Sequence, residues 1–363
     1  MRKPLFRGMK RWGGILLSAL LFSSLLLAAC DKSPSILQPS GPVADKEAGF
    51  FYFILIVATF VFLVVEGVLI YSIVRFRERP NSPRPAQIHG NNTVEVIWTV
   101  APSLFLFIVL GVTIYSMFTL YPPTGSNTLN VRVVGHQWWW EFDYPNEHIV
   151  TADSLHVPQG VVVNALLYSD NVIHSFWIPE LTGKIDVVPG HDNHLVFRAD
   201  KLNPDGYRGA CAEYCGLQHA HMDFNVIVDT PDSFMSWVHA QQANALSPTG
   251  ACPDPSKVSS NMPQGDLAAC GQAIFKQLCV GCHGIVGVNL ANYSDPKAGA
   301  LIGPNLTHFG SRNLIAGGVL VNNPENLKKW LSDPQGVKPG NDMVVSITPE
   351  QADALVAYLE SLK

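Results

Sequence analysis

Charged residues are scarce in this sequence, and repetition is absent. Only 15% of the 363 residues are charged, and 24 Lys and Arg against 29 Asp and Glu give a net charge of −5. Without an excess of basic residues, the composition does not indicate nucleic-acid binding. The chain also has no internal repeat and no low-complexity tract, which excludes repeat architectures and favours several distinct domains.

Two apolar runs are long enough to cross a membrane. Residues 50–71 are nearly uncharged, and 22 residues at ~1.5 Å each span a ~30 Å hydrocarbon core. Residues 96–120 form a second run, broken only by Pro102, which neighbouring helices can accommodate. Neither run contains histidine, so this chain alone cannot ligate a haem inside the bilayer. We predict a membrane hairpin over 30–125, with helices at about 50–75 and 96–120.

Positive charge between the two runs predicts the orientation of the hairpin. The connecting segment contains Arg75, Arg77, Arg79 and Arg84, so the positive-inside rule places it in the cytoplasm and both ends of the chain outside. Glu66 is the one ionisable residue inside a run. It either faces a partner or a proton path, or simply lies near the cytoplasmic interface.

The N-terminus is typical of an export signal. Five basic residues precede the apolar stretch 15–29. Leu27-Ala28-Ala29-Cys30 has the order of a bacterial lipoprotein signal, so we predict removal of 1–29 and acylation of Cys30. The alternative is an ordinary signal peptide with a chance cysteine. Export of Cys30 agrees with the predicted orientation of the hairpin. A single lipid anchors a protein only weakly, and the two helices would add to this anchoring.

Short strands with turn residues follow the hairpin and suggest a β-sandwich or barrel over 126–243. The predicted strands are 131–134, 136–142, 161–168, 194–198 and 224–228. Thr230 and Pro231 then open a helix as its cap and first residue.

A linker and a helical unit complete the chain. Residues 244–264 are rich in turn formers and read as the linker. The unit over 265–363 is predicted to be helical. Its last helix begins at a capping box formed by Thr348 and Gln351, with Pro349 at the first position.

A soft-ligand motif lies between Cys211 and Met222, in the run Cys211-Ala-Glu-Tyr-Cys215-Gly-Leu-Gln-His219-Ala-His-Met222. Such ligands suit copper, and a mononuclear blue-copper site uses only one cysteine. Two thiolates four positions apart could instead bridge two copper ions. The remaining positions would be filled by His219, Met222, His174 from a strand edge and the carbonyl of Glu213.

Two other interpretations of this motif remain open. Cys211 and Cys215 could form a disulfide in an oxidising compartment, which would make His219 and Met222 incidental. His221 also lies in the motif, but we expect it at the surface or behind the ligands rather than on the metal.

A second motif, Cys279-Val-Gly-Cys282-His283, has the spacing that attaches a c-type haem. A redox pair or half of a zinc site would also use the two cysteines, but the histidine directly after them favours haem. The distal ligand should be a thioether. Met343, in a Pro/Gly loop, is preferred to Met262 in the linker.

Cys252 and Cys270 are left over once Cys30 is acylated and four cysteines hold cofactors. In an exported protein a disulfide between them would tie the linker to the haem unit. Two unpaired thiols are the alternative.

These motifs together resemble subunit II of bacterial haem–copper cytochrome c oxidases, and the C-terminal haem unit is similar to the fused cytochrome of the caa type. The resemblance implies a multidomain fold: a two-helix transmembrane hairpin, an all-β cupredoxin-like domain with binuclear copper A, and an all-α cytochrome c domain. The segment 135–142, Gly-His-Gln-Trp-Trp-Trp-Glu-Phe, matches the family's aromatic segment. The resemblance places electron entry at Trp138, with Trp139 in place of a frequent tyrosine.

The resemblance also implies roles for residues facing other subunits. The side chain of Glu213 would reach a magnesium ion shared with subunit I, and Glu95 matches a glutamate at the cytoplasmic mouth of a proton channel. His191 stands where an arginine is common, which leaves a contact with a haem propionate or with subunit I in doubt.

The expected function is electron entry into a membrane oxidoreductase. Electrons would pass from haem c to two copper ions and then to subunit I, which reduces oxygen and pumps protons. Subunit III is a further expected partner, a cytochrome or bc-type complex the expected donor, and the outer face of the bacterial cell membrane the expected location. The chain itself has no dioxygen site and no complete proton path.

Three other functions would use part of the same features. A copper A nitric oxide reductase would use the same electron-input module with a different catalytic partner. A membrane-tethered electron carrier or copper-storage lipoprotein would need no partner, but Glu95 and Trp138 count against it. A quinol oxidase subunit would share the fold and lack the copper ligands.

Overall fold

The computed structural model describes residues 34–78, 87 and 90–363. The predicted signal peptide, the acylated Cys30, and Arg79 and Arg84 of the basic loop lie outside these residues.

Two long helices form the predicted hairpin: α1, Pro42–Arg75, and α2, Asn92–Thr119. Both are long and apolar enough to cross a membrane, and their apolar windows are not covered by the rest of the protein. The predicted starts, 50 and 96, were too late. In α1 the error arises because the first turns carry Asp45 and Lys46 and therefore do not continue the apolar run.

The early start of α1 has a structural reason. Val43 and Ala44 are fully buried, so this end of the helix packs against other parts of the protein. Ser40, two residues before the helix, is held by backbone hydrogen bonds to the β domain, since Ser40 N donates to the Glu180 carbonyl at 2.8 Å and Asp200 N donates to the Ser40 carbonyl at 2.9 Å. Helix α1 and the β domain are thus in direct contact.

Ten strands form two five-stranded sheets packed face to face. The strands are β1 Thr128–His136, β2 Trp139–Tyr144, β3 Ile149–Ala152, β4 Ser154–Pro158, β5 Val162–Ser169, β6 His174–Trp177, β7 Lys184–Val187, β8 Asn193–Arg198, β9 Tyr207–Cys211 and β10 Asp223–Asp229. One sheet has the order β3-β2-β1-β5-β8 and the other β4-β10-β9-β6-β7. Between the sheets, the aromatic rings of Trp140, Phe142, Phe176 and Phe224 pack against one another in edge, tilted and stacked arrangements.

One predicted strand is wrong, and several real ones were missed. Residues 136–142 do not form a single strand, because β1 ends at His136, the chain turns at Gln137 and Trp138, and β2 begins at Trp139. The apolar character of the segment conceals this turn. The missed strands, β3, β4, β6, β7 and β9, are only four or five residues long, too short to show a period.

Helix α3, Pro231–Gln242, begins as predicted, with the Thr230 side chain accepting from Ser233 N. Residues 244–263, all of them described, contain no helix or strand. A disulfide joins Cys252 and Cys270, which settles the pairing that the sequence left open, and it ties this segment to the next helix.

The C-terminal unit is helical, with one small hairpin. Its last helix has the predicted capping box, since Thr348 accepts from Gln351 N and the Gln351 side chain accepts from Thr348 N. The core of the C-terminal unit contains Phe275, Leu355 and Tyr358. The elements are α4 Gln264–Leu278, β11 Leu314–Ile315, β12 Leu320–Val321, α5 Pro324–Ser332, α6 Pro334–Val337 and α7 Pro349–Leu359.

Candidate copper centre and haem cavity

The predicted copper ligands are brought together by two neighbouring strands and one loop. His174 is the first residue of β6, and Cys211 is the last of the adjacent β9. The loop from Cys211 to Met222 is closed by Cys211 N donating to the Met222 carbonyl at 3.0 Å, and Ala212 N donates to the Ser175 carbonyl at 2.9 Å. Backbone hydrogen bonds therefore fix the positions of the ligands.

Two buried thiols lie at the centre of this group. The Sγ atoms of Cys211 and Cys215 are 3.7 Å apart, and both cysteines are free, so the alternative of a disulfide does not hold here. The Cys211 Sγ lies 3.8 Å from Nδ1 of His174 and 3.2 Å from the Glu213 carbonyl oxygen. The Cys215 Sγ lies 3.8 Å from Nδ1 of His219 and 3.8 Å from Sδ of Met222.

These separations fit a metal site. Bonds of about 2.0–2.3 Å from nitrogen and sulfur to an ion leave neighbouring ligand atoms about 3–4 Å apart. Among the described residues, His174, Cys211 and Cys215 also form a compact buried group able to hold an ion. With two thiols, two imidazoles, a thioether and a carbonyl, the donor set fits soft copper.

The protonation of the thiols is also suited to a cation. A hydrogen bond from Cys215 lowers the pKa of Cys211, and the same shared proton raises the pKa of Cys215. The pair thus loses one proton readily and holds the other tightly. A cation between the sulfur atoms would take the place of the retained proton.

Asn171 is a neighbour of the site that the sequence did not identify. Its Oδ1 lies 3.1 Å from Nε2 of His174, which orients the ring so that Nδ1 faces Cys211. Such a contact behind a ligand fixes its tautomer. His221 is exposed and bonds to Gln218 Oε1 at 2.7 Å, away from the thiols, as expected.

The haem motif lines a cavity in the C-terminal unit. Cys279 and Cys282 are free and line the cavity with His283 and Met343, while Met262 does not line it. Its apolar wall, suited to a macrocycle, includes Phe275, Leu278, Leu306, Leu327, Leu331 and Leu355. The three motif residues, Met343 and this wall fit a covalently attached haem.

His283 is oriented by its surroundings. Its Nδ1 lies 3.0 Å from the Pro304 carbonyl, which leaves Nε2 available for a metal. Burial lowers the pKa of His283, which favours the neutral, ligating form. A Cβ on Gly303 would lie 2.6 Å from the ring, so only glycine allows this approach.

The β domain forms another wall of the same cavity, through Gln137, Trp138 and Trp139. The Trp138 indole donates to the Cys215 carbonyl at 3.0 Å, and Gln137 Nε2 donates to the same oxygen at 2.7 Å. One tryptophan therefore touches both the haem cavity and the copper loop. Nothing in the sequence indicated this contact between the domains.

The residues predicted to face other subunits lie at exposed positions. The Glu213 side chain is exposed, with Oε1 accepting from Tyr214 N at 3.2 Å. Glu95 lies exposed in the first turn of α2, near the described end of the connecting segment. His191 is exposed as well. The structure of the chain alone leaves all three free to meet a partner.

Comparison with known families matches three parts of the chain. Residues 34–118 match the transmembrane domain of cytochrome c oxidase subunit II, and 153–229 match its periplasmic domain. Residues 268–363 match the cytochrome c family.

Curated relatives agree with these matches. Cytochrome c oxidase subunit 2 of Alkalihalophilus pseudofirmus is 37% identical, over 95% of this chain and 96% of its own length. The subunit of the same name from Bacillus subtilis is 34% identical, over 98% of each chain. Quinol oxidase subunit 2 of Bacillus cereus is 32% identical, over 63% of this chain and 81% of its own.

Among solved structures, the periplasmic domain of subunit II of cytochrome oxidase from Bradyrhizobium japonicum is 28% identical. It covers 33% of this chain and 95% of that one, with a TM-score of 0.31.

Proposed function

Because this chain belongs to the family of cytochrome c oxidase subunit II, we propose that it relays electrons from a covalent haem c to a binuclear copper A centre and on to subunit I. The family makes it the electron-entry subunit of a haem–copper oxidoreductase with a cytochrome c domain. The observation that carries the proposed route is the position of Trp138, which lines the haem cavity and donates to the Cys215 carbonyl.

When bound, copper and haem supply reversible one-electron chemistry. The protein contributes a copper loop whose geometry is held by backbone bonds and by the contact of Asn171 with His174. Because these bonds involve no metal, the loop need not rearrange when the charge of the centre changes. A fixed site of this kind favours rapid transfer.

On the haem side, Cys279 and Cys282 would form the thioether bonds, and His283 would be the proximal ligand. Met343 would be the distal ligand, and its loop is fixed because Met343 N donates to Asn341 Oδ1 at 2.7 Å. A thioether ligand raises the reduction potential of a haem, which suits a donor to subunit I.

Fusion of the two units keeps the electron donor at a high effective concentration beside its acceptor. The proposed domains are the copper A domain, 126–243, the linker, 244–264, and the cytochrome c domain, 265–363. No diffusing cytochrome then needs to dock at the copper loop.

The remaining assignments extend this proposal to the whole complex. Both helices would span the membrane with the connecting segment in the cytoplasm, and Cys30 would carry a lipid after removal of 1–29. The Glu213 side chain would reach a magnesium ion at subunit I, and Glu95 would face a proton channel. Subunit III and a cytochrome or bc-type donor are the other proposed partners.

Metal analysis and electron paramagnetic resonance of the full-length chain in detergent, after haem attachment and copper loading, test the relay. We expect two coppers sharing one unpaired electron and one haem c per chain, with copper reduced promptly after the haem. One copper or none, with Cys211 and Cys215 oxidised to a disulfide, would reduce the chain to a tethered cytochrome c.

Replacing Met343 with alanine tests the distal ligand. The haem should stay attached through Cys279 and Cys282 but lose the sulfur-to-iron absorption band. The reduction potential of the haem should fall measurably, because axial ligands set this potential over a range of ~0.8 V. The matched control is Met262→Ala, which should leave the spectrum unchanged. An unaltered band in the Met343 variant, with loss in the Met262 variant, would reverse the assignment.

A further inference from the structure

The backbone at the tip of the β11–β12 hairpin lies directly against the copper loop. Ala316, Gly317 and Gly318 all have positive φ, between 57° and 81°. Asp223 N, directly after Met222, donates to the Gly317 carbonyl at 3.0 Å. A Cβ on Gly317 would lie 2.6 Å from the Trp138 carbonyl oxygen. Only glycine permits this approach of two backbones.

Lys338, from the end of α6, is buried at the same contact. It is 3% exposed, and its Nζ donates to the Trp138 carbonyl at 2.6 Å and to the Ala316 carbonyl at 3.0 Å. Gln218, inside the copper loop, donates to the carbonyl of the next residue, Pro339. The amine thus joins the hairpin tip of one unit to the tryptophan of the other.

Charge is complementary across this contact. Asp153, a buried carboxylate of the β domain, accepts from Trp140 N at 2.9 Å. Burial raises the pKa of Asp153, and two cations of the haem unit, Lys338 and Arg312, oppose this shift. Asp223 adds a second negative group near Lys338, whose pKa is lowered to about 8 by burial. A buried amine needs such partners, because an unpaired one would be costly.

We infer that the tip Ala316–Gly318 and Lys338 form a docking seat that holds the haem unit on the copper loop of its own chain. Gly317 and Lys338 are positioning residues in this seat: they hold no cofactor and act through the Trp138 backbone. The inference rests on the proposed relay, which it makes more specific. The occupant of the surface beside Trp138 is the chain's own haem unit.

Two variants test the seat in the complete oxidase complex: Gly317→Ala, whose Cβ would strike the Trp138 carbonyl, and Lys338→Met, which removes the donor to the Trp138 and Ala316 carbonyls. Gly287→Ala is the matched control for the first, since Gly287 has φ +84° in the same unit and open space at its Cβ position. Lys329→Met, at an exposed position, is the control for the second.

Two measurements test the docking seat and the electron relay independently of each other. Time-resolved absorption gives the rate of transfer from haem c to copper. This rate should fall about tenfold in either seat variant, because each substitution displaces the backbone at Trp138 and small misplacements of reacting groups lower rates by factors of this order or more. Hydrogen exchange at the Asp223 amide, which needs no electron transfer, should become faster. Haem and copper spectra, and both controls, should match the parent.

If hydrogen exchange at the Asp223 amide is as slow in both seat variants as in the parent, the docking seat is refuted, whatever the rates of electron transfer. Faster exchange with an unchanged rate of transfer would overturn its positioning role. If the parent itself shows no transfer from haem to copper, the relay fails, and hydrogen exchange still decides the docking. Should Gly317→Ala lose its haem, Lys338→Met decides alone.

Discussion

Replacement of Cys215 with serine is expected to abolish the binuclear copper signal and leave the haem c spectrum intact. The Cys215 sulfur lies within 3.8 Å of Cys211, His219 and Met222, so its loss removes the atom that connects most of the ligands. A hydroxyl is a hard ligand and does not bridge two copper ions in place of a thiolate. At most one copper should remain.

The measurement is copper content with electron paramagnetic resonance, on the same preparation as haem absorption. His221→Ala is the control, because His221 lies in the same loop but bonds to Gln218, and it should retain both coppers. The haem motif lies in a separate core, so haem loss in the serine variant would indicate general unfolding. A persisting mixed-valence signal from two coppers would refute the ligand assignment.

The sites were predictable wherever their chemistry lies within a short stretch of sequence. The copper loop supplies four side-chain donors and one carbonyl between Cys211 and Met222, and the haem motif spans only Cys279 to His283. His174 is 37 residues from Cys211 and could be chosen only because the loop required a second imidazole. The capping box of the last helix was predictable for the same reason, since its partners are three residues apart.

Contacts between distant parts of the chain could not be predicted. Lys338 and Trp138 are 200 residues apart, and neither residue type carries a spacing signal for the other. The buried start of α1 was missed because its contact with the β domain is tertiary, while its sequence contains charge. The turn at Gln137 and Trp138 was missed because Trp138 faces another domain. Its apolar side chain therefore continues the apolar pattern of the strand residues beside it.

The turn at Trp138 leads to the second large expected effect. Trp138→Leu should slow transfer from haem c to copper by about a hundredfold, the scale on which small changes in the geometry of reacting groups act. The substitution removes the ring between the haem cavity and Cys215, together with the N–H donated to the Cys215 carbonyl. Gln137 still donates to that carbonyl at 2.7 Å, so the copper loop should keep its shape and its copper.

Trp138→Phe divides this effect into its parts, since it keeps an aromatic ring and loses only the N–H. If the ring carries the route, phenylalanine should recover most of the rate; if the hydrogen bond carries it, phenylalanine should be as slow as leucine. Trp237→Phe is the control, because Trp237 stacks on His156 at 4.2 Å, does not line the haem cavity and should leave the rate unchanged. If the leucine variant keeps both cofactors and the parent rate of transfer, electrons do not pass through Trp138. The docking seat would then still hold the two centres together, but the route between them would use other residues.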